Sequence, residues 1–191
     1  MTGDVVILFA RLPRLGTVKR RLAREVGDVA ALRFHRTQVA RLVRQLGRDR
    51  RWRLELAVTP DRTRWPSGAP MRDQGGGDLG RRMARALGRH RRAVLVGSDI
   101  PGLGPAEIAA AFRALGRADA VFGPAEDGGY WLVGFGPRRV ERPFAGVRWS
   151  TEHALADTLA NFGQVRVALL RRLRDVDTAA DLKEAAGRPG G

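Results

Sequence analysis

Short apolar runs alternate with amphipathic segments along nearly the whole chain, and this alternation restricts the folds open to the sequence. Apolar runs rich in valine, leucine and aromatic residues predict strands at 5–9, 54–58, 93–97, 119–123, 130–135 and 165–170. Helical spacing of apolar residues predicts helices at 18–26, 30–46, 79–87, 105–115 and 152–161. Strands and helices in this order predict a three-layer α/β/α domain around a mixed, mostly parallel sheet.

Three local signals refine the predicted helix ends. Gly104 followed by Pro105 is typical of an N-cap and first helical residue. Ser150 is the predicted N-cap of the helix that follows it. Thr178 and Asp181 have the spacing of a capping box, which indicates a further helix start.

The length of the chain and its lack of cysteine narrow the class of protein. A chain of 191 residues fits one domain, predicted to span 1–186 with a flexible tail at 187–191. The absence of cysteine excludes disulfides and cysteine-ligated zinc. The first residues show neither a signal peptide nor a membrane span, so we expect a cytoplasmic protein.

The net charge of +15 could direct the chain to nucleic acid, acidic membranes or phosphorylated small molecules. The arginines are scattered in doublets and are not interleaved with aromatic residues, which argues against a specific nucleic-acid partner. Lysine is rare and occurs only at 19 and 183. A lysine retained at position 19 is therefore informative. The sequence does not predict an oligomeric state.

In an open α/β sheet, ligands bind beyond the carboxyl ends of the strands. The loop after the first predicted strand joins Gly16 to several cations, which include Arg11, Lys19 and Arg21. Such a loop suits a phosphate chain, although an exposed basic turn is the alternative. It contains neither a Walker A motif nor a dinucleotide-binding motif.

Acidic residues follow three other predicted strands. Asp99 comes directly after a buried strand, where a single carboxylate with substrate phosphates suits Mg²⁺, or where it caps its own turn. Glu126 and Asp127 precede two glycines, in a segment that also has the pattern of a plain hairpin turn. Asp175 and Asp177 precede the last predicted helix, and one of them could serve the helix start.

Six segments together resemble a known family: "LFARLPRLGTVKRRLA", "GDLGRRMARAL", "VGSDIPGL", "GPAEDGGYWLVG", "GVRWSTEHAL" and "DVDTAADL". In this order they are typical of small bacterial proteins with the glycosyltransferase A fold. That family was formerly a domain of unknown function, carries the name of an arsenosugar-biosynthesis-type glycosyltransferase and is related to 2-phospholactate guanylyltransferase. The resemblance covers nearly all of 5–182. It implies a Rossmann-like nucleotide-diphospho-sugar transferase fold.

The resemblance also implies roles for individual residues. The first loop matches a G-x-x-K-T-R-L phosphate-binding pattern, in which the usual threonine is Arg20 here. The implied nucleotide contacts are Ala10, Arg11, Gly16, Lys19, Arg21, Gln74, Asp78, Gly80 and Ser98, and Lys19 and Arg21 also take catalytic roles. Of these, Gln74, Asp78 and Gly80 are implied as base or ribose contacts, and Asp78 suits an N-cap equally well. Asp99 matches the residue that holds Mg²⁺ or Mn²⁺, with Asp177, or its neighbour Asp175, as the second ligand. The implied acceptor side consists of Glu126, Asp127, Gly128, Gly129 and Tyr130, with Asp127 catalytic.

Two reactions fit this set of residues. One is glycosyl transfer from a nucleotide-diphosphate sugar to a small-molecule acceptor, and the other is nucleotidyl transfer from a nucleoside triphosphate with release of pyrophosphate. A basic nucleic-acid-binding module and a catalytically silent nucleotide sensor are alternatives from other classes. We expect Trp131 and Trp149 to pack in the core, and among the histidines only His153 follows a motif.

Overall fold

A seven-stranded mixed sheet forms the centre of the molecule, in the order β3-β2-β1-β4-β6-β5-β7. The computed structural model describes residues 3–60, 68–174 and 178–182. The strands are β1 (Asp4–Arg11), β2 (Arg53–Thr59), β3 (Met71–Asp73), β4 (Arg92–Gly97), β5 (Ala120–Pro124), β6 (Tyr130–Phe135) and β7 (Val167–Leu169).

Six strands run in one direction, and only β6 runs against its neighbours. β1 pairs in parallel with β2 and β4, β3 with β2, and β7 with β5, whereas β6 is antiparallel to both β4 and β5. The carboxyl ends of the six parallel strands therefore lie along a single edge of the sheet, here named the carboxyl edge. The loops after β1, β3, β4, β5 and β7 meet there.

The helices cover both faces of the sheet. They are α1 (Arg20–Val26), α2 (Asp28–Gly47), α3 (Leu79–Gly88), α4 (Pro105–Ala114) and α5 (Ala154–Ala160). Alternate residues of β1 divide between the two faces: Val6 and Leu8 pack with α2 and α4, and Val5 and Ile7 pack with α3 and α5. Both faces are apolar because both are buried, as expected for a mostly parallel sheet. Among the described residues, no helix is both long and apolar enough to cross a membrane.

The predicted fold class is confirmed, and all six predicted strands are present. The structure contains one further strand that the sequence did not predict. This strand is β3, whose three residues include Arg72 and Asp73 and therefore lack an apolar pattern. Its parallel pairing with β2 supplies the hydrogen bonds that make it a strand.

Most predicted helix ends lie within two residues of the observed ones, but the cap at Ser150 is wrong. Ser150 has a left-handed backbone with φ 61°, and α5 begins only at Ala154 after a turn that the Thr151 carbonyl closes. The start at Pro105 after Gly104 is confirmed. The capping box is confirmed as well, since the Asp181 carboxylate accepts from the backbone N–H and the hydroxyl of Thr178 at 2.8 and 2.7 Å.

Candidate functional site

The ammonium group of Lys19 and the carboxylate of Asp99 meet at the carboxyl edge. Lys19 Nζ lies 2.7 Å from Asp99 Oδ2, although the two residues are 80 positions apart in the chain. They meet because β1 and β4 are adjacent parallel strands, so that the loops after them start side by side. The Lys19 side chain is 8% exposed and that of Asp99 is 36% exposed, so the pair is reachable from solvent mainly on the carboxylate side.

The backbone at Lys19 is held in an unusual conformation. Lys19 is the N-cap of α1 with φ 47° and ψ 50°, a left-handed geometry that a non-glycine residue rarely adopts. The loop before it is ordered by Thr17, whose N–H and hydroxyl both donate to the Arg14 carbonyl, and by Arg11, whose guanidinium donates to the Thr17 carbonyl at 3.3 Å. Gly16 supplies the positive φ of 72° that this turn requires.

Basic side chains surround this loop on its solvent side. Arg11, Arg14, Arg20 and Arg21 are all exposed. Next to the buried Lys19 side chain they create a positive rim that suits a polyanionic ligand. Ala10 and Ser98, the two predicted contacts nearest the strand ends, are buried at 2% and 8% exposure.

A buried histidine on α2 contacts the same loop. His35 is 5% exposed, and its Nε2 lies 2.8 Å from the Arg11 carbonyl, to which it must donate because a carbonyl oxygen only accepts. Burial lowers the pKa of His35, while the hydrogen bond to Arg11 and the charge of Asp99 oppose that shift. His35 is therefore neutral near pH 7.

The loop after β4, which carries Asp99, is held from the same helix. The Arg41 guanidinium donates to the carbonyls of Leu103 and Ile100 at 3.0 and 3.3 Å, and its Nε donates to Gln38 Oε1 at 2.8 Å. Leu103 N also donates to the Ile100 carbonyl, which closes the turn. Sequence reasoning missed both His35 and Arg41. The loops offer them only backbone carbonyls, which leave no motif, although His35 lies on the face of α2 that the helical pattern buries and Arg41 lies beside that face.

The predicted base or ribose contacts after β3 have structural partners. The Gln74 amide is 4% exposed and donates to the Ala57 and Ala10 carbonyls at 2.9 and 3.3 Å, so it joins β1 to β2. The Asp78 carboxylate caps α3 by accepting from Arg81 N at 2.8 Å. A Cβ at Gly80 would lie 2.8 Å from Phe144 Cβ, which makes this glycine a close packing position.

The segment 125–129 connects β5 to β6 and forms the hairpin turn that the sequence left open as an alternative. Glu126 and Asp127 are exposed, and Asp127 Oδ1 accepts from Gly129 N at 2.9 Å within the turn. Gly128 has φ 83°, and a Cβ there would lie only 2.1 Å from the Glu152 carbonyl oxygen. The glycine therefore permits contact with the turn before α5.

Tyr130 and the tryptophans contribute mainly to packing. The Tyr130 ring meets Phe122 edge-on at 5.3 Å and Trp149 at 6.4 Å, and burial raises the pKa of its phenol far above the usual range. Trp131 is 3% exposed, and its indole N–H donates to the Arg171 carbonyl at 3.3 Å. The predicted core role of Trp131 is confirmed.

The predicted second metal ligand lies outside the described residues, as does its alternative: these are Asp177 and Asp175. Within 3–60, 68–174 and 178–182, no group of three or more histidine and acidic side chains could hold a metal ion. Asp99 itself suits a hard cation, because its side chain is 36% exposed and Lys19 contacts only Oδ2, while Oδ1 has no hydrogen bond to a described residue. A cation at Asp99 would need its remaining ligands from a bound phosphate or from beyond these residues.

Comparison with known proteins identifies the family and the fold of the chain. The model of a family described as uncharacterized protein conserved in bacteria (DUF2064) matches residues 16–151. None of the curated proteins matches the chain. A solved structure from Desulfovibrio desulfuricans G20, provisionally named a nucleotide-diphospho-sugar transferase, is 31% identical with a TM-score of 0.87, over 95% of this chain and 85% of that one.

More distant structures share the fold. The 2-C-methyl-D-erythritol 4-phosphate cytidylyltransferase of Thermus thermophilus is 17% identical with a TM-score of 0.55, over 97% of each chain. The Rv0371C protein of Mycobacterium tuberculosis H37Rv, solved as a complex with manganese, is 20% identical with a TM-score of 0.52, over 95% of this chain and 96% of that one. The nucleotide-diphospho-sugar transferase fold predicted from the motifs is confirmed.

Proposed function

The chain belongs to the DUF2064 family, and we propose that it is a cytoplasmic, metal-dependent transferase that binds a nucleotide at the carboxyl edge. The observation that carries the proposal is the contact of Lys19 Nζ with Asp99 Oδ2 at 2.7 Å. Placing a largely buried lysine against a carboxylate costs desolvation that a structural role alone repays poorly. In a site that binds phosphate and a divalent cation, Lys19 would contact the phosphate oxygens and Asp99 would contact the cation.

The first candidate reaction is glycosyl transfer from a nucleotide-diphosphate sugar to a small-molecule acceptor. The relative at 31% identity carries the name of a nucleotide-diphospho-sugar transferase, which supports this choice. Lys19, with Arg11 and Arg21 at the rim, would bind the diphosphate and neutralise the charge that develops on it as the leaving group departs. Asp127 or Glu126, exposed on the neighbouring turn, would orient or deprotonate the acceptor hydroxyl.

A divalent cation would be held by Asp99 and, as the motif implies, by Asp177. The uncommitted Oδ1 of Asp99 fits such an ion, and a relative of the same fold has been solved with manganese. When bound, the ion would supply further positive charge to the phosphates. Gln74, Asp78 and Gly80 would position the nucleoside through the loop they order, with Ala10 and Ser98 forming the floor at the strand ends.

The second candidate is nucleotidyl transfer, favoured by the number of cations on the first loop. Four exposed arginines and Lys19 provide more positive charge than a diphosphate requires, and a triphosphate would use it. Lys19 and Arg21 would then neutralise charge that develops toward pyrophosphate. Release of pyrophosphate from a triphosphate, or of nucleoside diphosphate from a sugar nucleotide, separates the two reactions.

A thermal-shift panel tests the proposal. Nucleoside triphosphates and sugar nucleotides are each assayed with and without Mg²⁺ or Mn²⁺, on the parent protein and on Asp99→Ala. We expect stabilisation that needs nucleotide and metal together, of about 3 kcal/mol at a ligand concentration 100 times Kd, and its loss in the variant. Equal shifts in both proteins would remove Asp99 from the site, and no shift with any nucleotide would end the proposal.

A further inference from the structure

Helix α2 joins the two halves of the site through two polar side chains. His35 and Arg41 lie six positions apart, about 120° from each other around the helix, and Gln38 lies midway, three positions from each, which makes it a surface neighbour of both. His35 contacts the loop after β1 through the Arg11 carbonyl. Arg41 contacts the loop after β4 through the Ile100 and Leu103 carbonyls.

Those two loops carry the two charged groups of the site. Lys19 follows Arg11 on the first loop, and Asp99 directly precedes Ile100 on the second. The Lys19–Asp99 contact spans 80 residues, so its length depends on how well the two loops are held relative to each other. Charged and buried groups of this kind need placement to within about 0.5 Å to act on a substrate.

The contacts of Arg41 are those of a structural clamp. Its guanidinium donates four hydrogen bonds to described residues. The acceptors are Gln38 Oε1, Gln45 Oε1 and the carbonyls of Ile100 and Leu103. Burial lowers the pKa of Arg41, yet an arginine stays charged, so its hydrogen bonds to the carbonyls are charge-assisted. Gln38 is itself buried at 8% exposure and fixes the direction of the guanidinium.

We propose that His35 and Arg41 are positioning residues that set the Lys19–Asp99 geometry from helix α2. The inference rests on the proposed function, because it assigns these residues to the same site. His35 contacts the loop that carries Lys19, and Arg41 contacts the loop that carries Asp99, so each is assigned an effect on the site through its loop. The helix thus serves as the rigid element against which both loops are aligned.

Arg41→Gln tests the clamp, with Arg44→Gln as its matched control. Arg44 lies one turn further along α2, is exposed, and makes no hydrogen bond or ion pair with any residue that the structure describes, so its substitution changes the net charge equally. We expect Arg41→Gln to speed hydrogen–deuterium exchange at 98–104 at least tenfold, with exchange in β1 and β4 unchanged. Arg44→Gln should match the parent throughout.

Kinetics provide the second readout. Arg41→Gln should lower kcat about tenfold, with a change of less than twofold in the KM for nucleotide, and Arg41→Lys should recover part of the loss because one ammonium reaches one carbonyl. His35→Leu should speed exchange at 11–18, and His35→Gln should restore it through an amide donor. Arg41→Lys also retains the charge, which keeps the test valid where Arg41→Gln fails to fold.

The outcomes separate this inference from the proposed function. Equal exchange in Arg41→Gln and Arg44→Gln overturns the inference, even where the parent protein turns over substrate. Exchange raised uniformly across the whole chain overturns it as well, since that result indicates global destabilisation only. Faster exchange confined to 98–104 supports the positioning role, even where no substrate of the panel is turned over and the proposed function fails.

Discussion

The carboxyl edge contains two regions that both combine acidic residues with glycines in the sequence but differ in structure. The first, here named the lysine region, comprises the loops after β1 and β4 with Lys19 and Asp99. The second, here named the hairpin region, comprises the β5–β6 turn with Glu126 and Asp127. In the lysine region the charged groups face each other at 2.7 Å with Lys19 largely buried, whereas in the hairpin region both carboxylates are exposed.

The two regions also differ in the space around their glycines. Gly16 of the lysine region lies in an exposed turn, and a Cβ there would meet nothing closer than 3.9 Å. Gly128 of the hairpin region is required because the backbone of Glu152 lies against it. A glycine-rich acidic motif is therefore weaker support for a ligand site when packing already accounts for it. In the lysine region packing does not account for Gly16, and the proposed nucleotide site rests there on the contact of Lys19 with Asp99.

The largest expected effect is that of Asp99→Asn. Loss of the carboxylate abolishes the ion pair with Lys19 and removes the predicted cation ligand, so kcat/KM should fall about 10³-fold, or about 4 kcal/mol. Nucleotide-dependent thermal stabilisation in the presence of Mg²⁺ should disappear at the same time. Steady-state kinetics and thermal shift together check this prediction, and a variant that retains more than a tenth of parental kcat/KM would contradict it.

The next effect, on stability, is expected from Gly128→Ala. A Cβ there would lie 2.1 Å from the Glu152 carbonyl oxygen, at φ 83°. Gly27→Ala is the matched control, because Gly27 has φ 84° and nothing within 4 Å of the added atom. We expect a cost of about 1 kcal/mol for Gly27→Ala from the backbone alone and about 3 kcal/mol for Gly128→Ala. Urea unfolding measures both, and equal costs would show that the close approach does not matter.

Asp127→Asn should separate the functions of the two regions. If the hairpin region serves the acceptor, the variant should lose about 10²-fold in kcat because a proton acceptor is removed, and should bind nucleotide as the parent does. Asp99→Asn is the comparison, since it should lose both properties. Calorimetry measures nucleotide binding in both variants, and turnover is measured alongside it. Weakened nucleotide binding in Asp127→Asn would show that the two regions act as a single site.

The smallest effect is a pH dependence of stability that arises from His35, which contacts the lysine region from α2. Burial lowers the pKa of His35 in the folded state below its ordinary value of 6.5, so the unfolded chain binds more protons in acid. Stability is therefore fully present above pH 6.5 and is lost as the pH falls through the folded pKa. We expect His35→Gln to reduce the slope of unfolding free energy against pH by up to about 1.4 kcal/mol per pH unit.

Val29→Gln is the control for this titration, because Val29 lies on the same helix α2, is 67% exposed and has no titratable group. Its substitution should leave the slope between about pH 7.5 and about pH 5 unchanged. His90, at the opposite edge of the sheet, also has a pKa lowered by burial and contributes to the slope in every variant. Urea unfolding over this pH range would contradict the prediction if both substitutions changed the slope equally.

The sheet and the shared edge of the loops that carry Lys19 and Asp99 could be predicted, whereas the direct ion pair between the two side chains was not predicted. Apolar runs locate the strands, and parallel neighbours bring the loops after β1 and β4 to one edge. The short strand β3 could not be predicted, because charged residues hide a pairing that depends on β2. The contacts of His35 and Arg41 with the loops could not be predicted either. Every residue has a backbone carbonyl, so the sequence does not indicate which one accepts the hydrogen bond.

The most direct test of the site is a double-mutant cycle on Lys19→Met and Asp99→Asn, read as kcat/KM with saturating metal. If the two residues act as one unit on the nucleotide phosphates, each single variant should lose about 10³-fold and the double variant should lose no more than about tenfold beyond the worse single one. Losses that multiply to about 10⁶-fold would show two independent roles, and parental activity in either single variant would show that the pair is not the nucleotide site.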